Sequence, residues 1–322
     1  MTRRGKMLLV GAGPGDPELL TIKAVRAIES ADLVLADRLV PKEVLEMAKC
    51  EVRVARKRCG KADLAQAELD AWGLEGLRQG KRVVRLKNGD PFMYGRGGEE
   101  AVIYSEAGFD VEVIPGISSS LSAPLSAGIP ATMRDVADQV LVCTGHGKAD
   151  RFPNLPEYCN HRTTIFLMAI GRIEGLCAAL INERGFPSDI PAAVIHAATT
   201  SKAVTIRSTL GQIADEVKRQ GIVPPGTLIV GNVVNALAYL HHYDAVRSNP
   251  KDDLESTNKY QISYPPLELV PEVDLGEHIV LNAGKKSHGA QDVRPLWHIM
   301  LLFLPLAYVL YTIVSTLNVE LL

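Results

Sequence analysis

The stretch LLVGAGPGDPELLT, Leu8–Thr21, decides the fold. A short apolar strand, Leu8–Val10, runs into a loop of Gly, Pro and Asp, and a helix is expected from Glu18 to Ala31. A glycine-rich turn between strand and helix lets a ligand approach bare backbone near the positive end of the helix dipole. The pattern comes close to a dinucleotide fingerprint, and Asp37 ends the next strand, Asp32–Asp37, where a ribose-binding acid belongs. The fingerprint breaks at its last position. Counting G-x-G-x-x-G from Gly11 puts Asp16 where the third glycine should stand, and Pro14 and Pro17 stiffen the loop. A Rossmann-type oxidoreductase with NAD at Gly11–Gly15 is therefore one open reading, and a second motif has to decide.

That motif is KRVVRLKNGDPFMYGRGGEE, Lys81–Glu100. An apolar strand, Val83–Leu86, enters the turn-forming run Asn88-Gly89-Asp90-Pro91. The basic, glycine-rich segment Gly95–Gly98 then leads to Glu99 and Glu100, acids suited to the first turn of a helix. A third segment, VIPGISSS, Val113–Ser120, follows. With these three motifs in this order, residues Lys6 to Tyr243 resemble the tetrapyrrole methylase family. Within the family the match is nearest to the branch that methylates uroporphyrinogen III.

The spacing of apolar runs gives the same fold class. Strands and helices alternate through the first half, which indicates an α/β layer with a largely parallel sheet. The second half has its own strands at Gln139–Thr144, Thr163–Met168, Ala192–His196, Ala203–Ser208 and Thr227–Val234, with helices over Ile173–Arg184 and Leu210–Arg219. The strands flanking Thr199–Lys202 are candidates for a hairpin. The expected architecture is two α/β domains, residues 1–115 and 116–246, with a ligand cleft between them. The resemblance implies the same.

Composition narrows the partners. A formal charge of −2 gives no global attraction to nucleic acid, so a polyanionic ligand must be met by a local basic cluster. Five cysteines, Cys50, Cys59, Cys143, Cys159 and Cys177, form no C-x-x-C pair and have no histidine at metal-ligand spacing, so no metal is expected and reduced thiols in a cytoplasmic protein are. Beyond residue 246 the character changes. Residues 247–294 are rich in Pro, Asp, Glu, Lys and Ser and read as a flexible linker. Residues 295–319 then carry no Lys, Arg, Asp or Glu and read as a transmembrane tail anchor. The resemblance does not extend to this tail.

The resemblance implies a chemistry and a set of positions for it. The activity would be S-adenosylmethionine-dependent C-methylation of uroporphyrinogen III to precorrin-2 in two transfers, releasing S-adenosylhomocysteine and feeding sirohaem or cobalamin synthesis. It implies Pro14, Asn88, Gly89, Asp90, Met93, Ser118, Ser119, Met168 and Ala198 around the cofactor. Asp37 and Lys57 match the family's suggested proton acceptor and donor. It also implies a homodimer. Methyl transfer from a sulfonium is an in-line displacement, so the protein mainly aligns the reacting atoms and excludes water. Loss of a proton after each methylation gives a positioned base a use.

The polycarboxylate substrate needs convergent cations, and arginine forks suit carboxylates. Arg38, Arg58, Arg96 and Arg134, with Lys57 and Lys61, lie in or beside motif loops, and His146 is a further loop group. Three departures from the common pattern stand out: Arg56 and Asn88 replace glycines, and Ala197-Ala198-Thr199 replaces Asn-Gly-Thr. They keep a catalytically dead, membrane-tethered scaffold open as a reading. A sibling methylase acting on a later corrin precursor, or on a modified protein histidine, stays open beside it. Ser118–Ser120 lack a matched His/Asp pattern for nucleophilic hydrolysis.

Overall fold

A computed structural model describes residues 4–55, 62–147 and 152–237. Lys57, Arg58 and Lys61, the linker 247–294 and the apolar run 295–319 lie outside the described residues. The first sheet is built from β1 (Lys6–Gly11), β2 (Leu33–Ala36), β3 (Glu51–Val54), β4 (Arg82–Lys87) and β5 (Asp110–Ile114). Their order is β3-β2-β4-β1-β5 and every pair is parallel. The interior strands read as apolar runs because helices cover both faces. Alternate side chains point to opposite faces of a strand. Leu8, Val10, Val34, Val84 and Leu86 therefore pack with α1 (Ile22–Glu29) and α2 (Lys42–Leu45). Met7, Leu9, Leu33, Leu35 and Val83 pack on the other side with α3 (Ala62–Arg78) and α4 (Gly97–Glu106) through Leu69, Leu77 and Tyr104.

The second sheet holds β6 (Gln139–Thr144), β7 (Arg162–Leu167), β8 (Pro191–His196), β9 (Val204–Thr209) and β10 (Gly226–Val230), in the order β6-β7-β10-β8-β9. Only β6 and β7 run parallel; the other pairs are antiparallel, and β8–β9 is the expected hairpin. One face packs on α6 (Ile173–Arg184) and α7 (Ile213–Arg219) through Leu176, Leu180, Ile213 and Val217. The opposite face takes Ala123 of α5 (Ser119–Ser126), together with Ala127 and Ile129 just beyond it. The fold is thus α/β with two sheets, the second mixed.

Element boundaries differ from the sequence reading, with clear physical reasons at three places. The first helix begins at Ile22, not Glu18. Asp16 accepts from the Glu18 N–H and closes a 3₁₀ turn over Pro17–Leu19, after which Leu20 and Thr21 are extended and Thr21 caps α1 through the Ala24 N–H at 3.1 Å. The helix expected from Leu210 begins at Ile213, because Thr209–Gln212 closes as a turn. The last strand stops at Val230, where Gly231 at φ 148° breaks it into a short 3₁₀ segment.

Candidate active site

The loops that follow β1, β4 and β5 converge at the carboxyl edge of the first sheet, where open α/β sheets bind ligands. Gly13 and Gly89 exchange backbone hydrogen bonds, Gly13 N–H to Gly89 O at 3.3 Å and Gly89 N–H to Gly13 O at 2.7 Å. A Cβ on Gly11 would fall 2.7 Å from Gly89 O and collide with Gly116. The three loops therefore touch backbone to backbone. Asp90 ties the crossing together, accepting from Phe92 N–H at 2.9 Å and from Gly116 N–H at 3.3 Å.

Loops of the second sheet come against this crossing. Asp16 N–H donates to Thr199 Oγ1 at 3.3 Å, and a Cβ on Gly15 would lie 2.7 Å from the Thr200 methyl. Tyr94 Oη donates to Val142 O at 3.0 Å. The second-sheet loops are bent at non-glycine residues in the left-handed region: Met168 at φ 56°, Ala197 at 45° and Thr199 at 64°. Such conformations are costly for L-residues and gather at functional sites. Met93 and Met168 are both exposed, 39% and 49%.

The individual positions divide by what their side chains already hold. Pro14 and Asn88 are half-buried in their loops, and Gly89 is left-handed at φ 70°. Ser118 caps α5, its hydroxyl accepting from Ser120 N–H at 3.2 Å and from Ser120 Oγ at 2.9 Å; Ser119 opens that helix. Ala198 is buried, and the left-handed residues flank it on either side. Asp37 follows β2; its carboxylate accepts from Leu39 N–H at 3.0 Å and stands 3.9 Å from Arg85. Arg38 is exposed beside it. Arg96, itself left-handed at φ 60°, caps α4 and pairs with Glu99 at 2.8 Å. Arg134 is exposed in the turn before β6, and His146 is exposed after it.

A buried ionic network under this edge escaped the sequence reading. Glu100, in the first turn of α4, accepts from Arg85 Nε at 3.1 Å, Lys87 Nζ at 2.7 Å and Gln66 Nε2 at 2.6 Å. Gln66 also donates to Asp70 at 3.0 Å, and Tyr104 Oη donates to Asp70 at 3.4 Å. Burial, and then the neighbouring Arg85 guanidinium, pushes the Lys87 amine down. Burial pushes the Asp70 carboxyl and the Tyr104 phenol up. The signal was present in RVVRLK, Arg82–Lys87. Arg85 and Lys87 share one face of a strand whose neighbours are apolar, and a charge there needs a buried partner.

The same geometry bears on the dinucleotide reading. Its phosphate cradle requires a helix that starts directly at the glycine loop. Here α1 begins at Ile22, its Ala24 N–H is already taken by Thr21, and the glycine loop is zipped to Gly89 instead.

This two-sheet α/β fold, one sheet parallel and one mixed, is that of the methylases to which the chain is structurally similar. The profile of the Tetrapyrrole (Corrin/Porphyrin) Methylases matches residues 6–214, and the chain belongs to that family. A uroporphyrinogen-III C-methyltransferase of Saccharomyces cerevisiae is 47% identical over 235 residues, 72% of this chain and 40% of the yeast protein. This chain thus spans about two-fifths of that relative's length. The Methanocaldococcus jannaschii enzyme of the same name is 43% identical, and the match covers 72% of this chain and 98% of that one. A crystal structure of the Thermus thermophilus uroporphyrin-III C-methyl transferase complexed with S-adenyl homocysteine superposes with a TM-score of 0.62. It is 36% identical, with 72% of this chain and all of that one covered.

Proposed function

We propose that this chain methylates uroporphyrinogen III to precorrin-2 with S-adenosylmethionine, in two transfers. The observation that carries the reading is the crossing of the Gly11, Gly89 and Gly116 loops, with the left-handed turn at Ala197–Thr199 packed on Gly15 and Asp16 beside it. Its 43% identity to a uroporphyrinogen-III C-methyltransferase that it matches nearly end to end supports the substrate.

The residues present fit the cofactor. Backbone without Cβ atoms at Gly13 and Gly89, with Met93 and Met168 exposed in their loops, suits a nucleoside with a thioether-derived chain. Pro14, Asn88, Gly89, Asp90, Met93, Ser118, Ser119, Met168 and Ala198 would hold it. Asp90 and Ser118 would do so through backbone groups, because their side chains are occupied in capping. When bound, S-adenosylmethionine supplies an electrophilic methyl on a sulfonium. Asp37 accepts the one proton that the ring system loses for each methyl cation it gains, and Lys57, the proton donor of the resemblance, would assist a shift of protons within the ring with no net gain. Arg38, Arg58, Arg96 and Arg134 meet the substrate carboxylates, Arg96 by exchanging its contact with Glu99.

Incubation with uroporphyrinogen III and labelled S-adenosylmethionine should place two methyl groups on each tetrapyrrole. Asp37→Asn should lower kcat about 100-fold, the scale of a lost general base, while S-adenosylhomocysteine affinity measured by calorimetry stays within error. Failure to bind S-adenosylhomocysteine, alongside tight binding of NAD, would sink the reading.

The same reading carries a homodimer, and a cytosol-facing catalytic region tethered to a membrane by residues 295–319. A helix of about 25 residues rises roughly 37 Å, enough for a hydrocarbon layer of about 30 Å with some tilt. Lys285, Lys286 and Arg294 precede the run, and positive charge on that flank favours keeping it cytosolic. Full-length protein should sediment with membranes and the form ending at Arg294 should not. Equal solubility of the two forms would remove the anchor.

A further inference from the structure

Arg85, Lys87 and Glu100 are almost wholly buried, their side chains 3%, 3% and 1% exposed. Two cations meet Glu100 directly, with Asp70 a second carboxyl beyond Gln66 and Asp37 a third at 3.9 Å, all in or beside a desolvated place. Such a place is costly unless every charge is met. Gln66 adds a neutral donor, and Tyr104 and Asp70 close the far end. At the near end the Arg85 guanidinium donates to Leu86 O and faces Asp37 Oδ2 at 3.9 Å. Asp37 is the carboxylate at the mouth, 37% exposed, whereas Glu100 lies sealed below it. The guanidinium is thus gripped from beneath and faces a carboxylate that is open to solvent. A contact of this length is an ion pair rather than a hydrogen bond, and such contacts commonly tighten when substrate binds.

We propose that Arg85, held by Glu100, whose other oxygen Lys87 fixes, is a positioning residue for Asp37, setting the orientation of the carboxylate that takes the substrate proton. The proposal rests on Asp37 being the proton acceptor. Lysine cannot reproduce the two-sided grip, because one ammonium replaces a rigid planar fork. Glu100 and Arg85 span α4 and β4, so the clamp also ties the carboxylate's orientation to the GRGG loop that starts the helix.

The test is a double-mutant cycle in the full-length chain, read by kcat, by KM for uroporphyrinogen III and by S-adenosylhomocysteine affinity. Arg85→Lys should lower kcat about tenfold, within the range of a mispositioned base, with KM and cofactor affinity near the parent values. In the Asp37→Asn background the same substitution should cost less than about twofold, since residues acting as a unit are non-additive. Additive losses overturn the proposal, as does an Arg85→Lys enzyme of parental kcat. Should Arg85→Lys lower the melting temperature sharply, Glu100→Gln takes its place in the cycle. It keeps shape and weakens the clamp, and the same two criteria apply. An Asp37→Asn enzyme of parental kcat is a separate result. It removes Asp37 as the proton acceptor, and the role of Arg85 with it.

Discussion

At the edge of the first sheet the backbone approaches of the β1, β4 and β5 loops fall on Gly11, Gly89 and Gly116; in the loops of the second sheet the sharp turns fall on Met168, Ala197 and Thr199. Glycine enters close contacts and left-handed conformations at little steric cost, although it gives up more chain entropy on folding than other residues. Methionine, alanine and threonine in the left-handed region are strained and persist only where surrounding structure imposes them. The glycine crossing, the first wall, is therefore relaxed and close-fitting. Strain is held in the second wall, the loops of the second sheet, and, on the first side, further along the β4 loop at Tyr94 and Arg96, φ 54° and 60°. The sequence at Met168 supplies a side chain that a glycine could not, and that side chain is half exposed toward solvent.

The largest effect expected from this contrast is at the crossing itself. A Cβ on Gly116 would lie 2.7 Å from Gly11 Cα and collide with Gly89 O, where no flexible side chain can yield. Gly116→Ala should cost about 3 kcal/mol, the upper end for overpacking, and should lower the cofactor affinity because three loops shift together. Gly98→Ala is the matched control. Nothing lies within 4 Å of that Cβ, and the position is in the first turns of α4, so the change should be neutral or stabilising by about 0.5 kcal/mol. Equal urea-denaturation midpoints for the two variants would mean that the crossing does not need its glycines.

The same contrast explains what was legible beforehand. The first wall announced itself, because glycines, prolines and Asx residues punctuate sequence where the backbone turns. Alternating apolar runs likewise located the strands of both sheets. Helix starts were harder. The Asp16 cap holds a 3₁₀ turn in a segment rich in helix formers, and only the extended Leu20 and Thr21 separate it from α1. The second wall was nearly silent. No composition rule marks Met168, Ala197 or Thr199 as left-handed, because their dihedrals are imposed by the sheet and by partners distant in sequence. The Arg85–Glu100–Lys87 network was hidden for a related reason: a strand read as apolar carried two charges whose partner sits on another element. Lys57 and Arg58 lie outside the described residues, so their roles stand as proposals.

The smallest expected effect concerns the second wall and separates its strain from its chemistry. The resemblance drew attention to Ala198, where the common pattern has glycine. The left-handed residues, however, are its neighbours, Ala197 at φ 45° and Thr199 at φ 64°. Asparagine tolerates that region better than alanine, because its short amide can bond locally. Ala197 is half-buried, and its backbone is held from both sides: its N–H donates to Pro225 O at 3.3 Å and its carbonyl accepts from Thr200 Oγ1 at 2.7 Å. The turn will therefore keep its shape when the side chain changes. Ala197→Asn should stabilise by about 0.5 kcal/mol, a fraction of the left-handed penalty. Ala198→Gly should instead destabilise by about 0.5 kcal/mol, since it frees the unfolded chain and relieves nothing in the folded one. Thermal denaturation of both variants checks the pair. Stabilisation by Ala198→Gly with none from Ala197→Asn would shift the strain to residue 198 and overturn this account of the second wall.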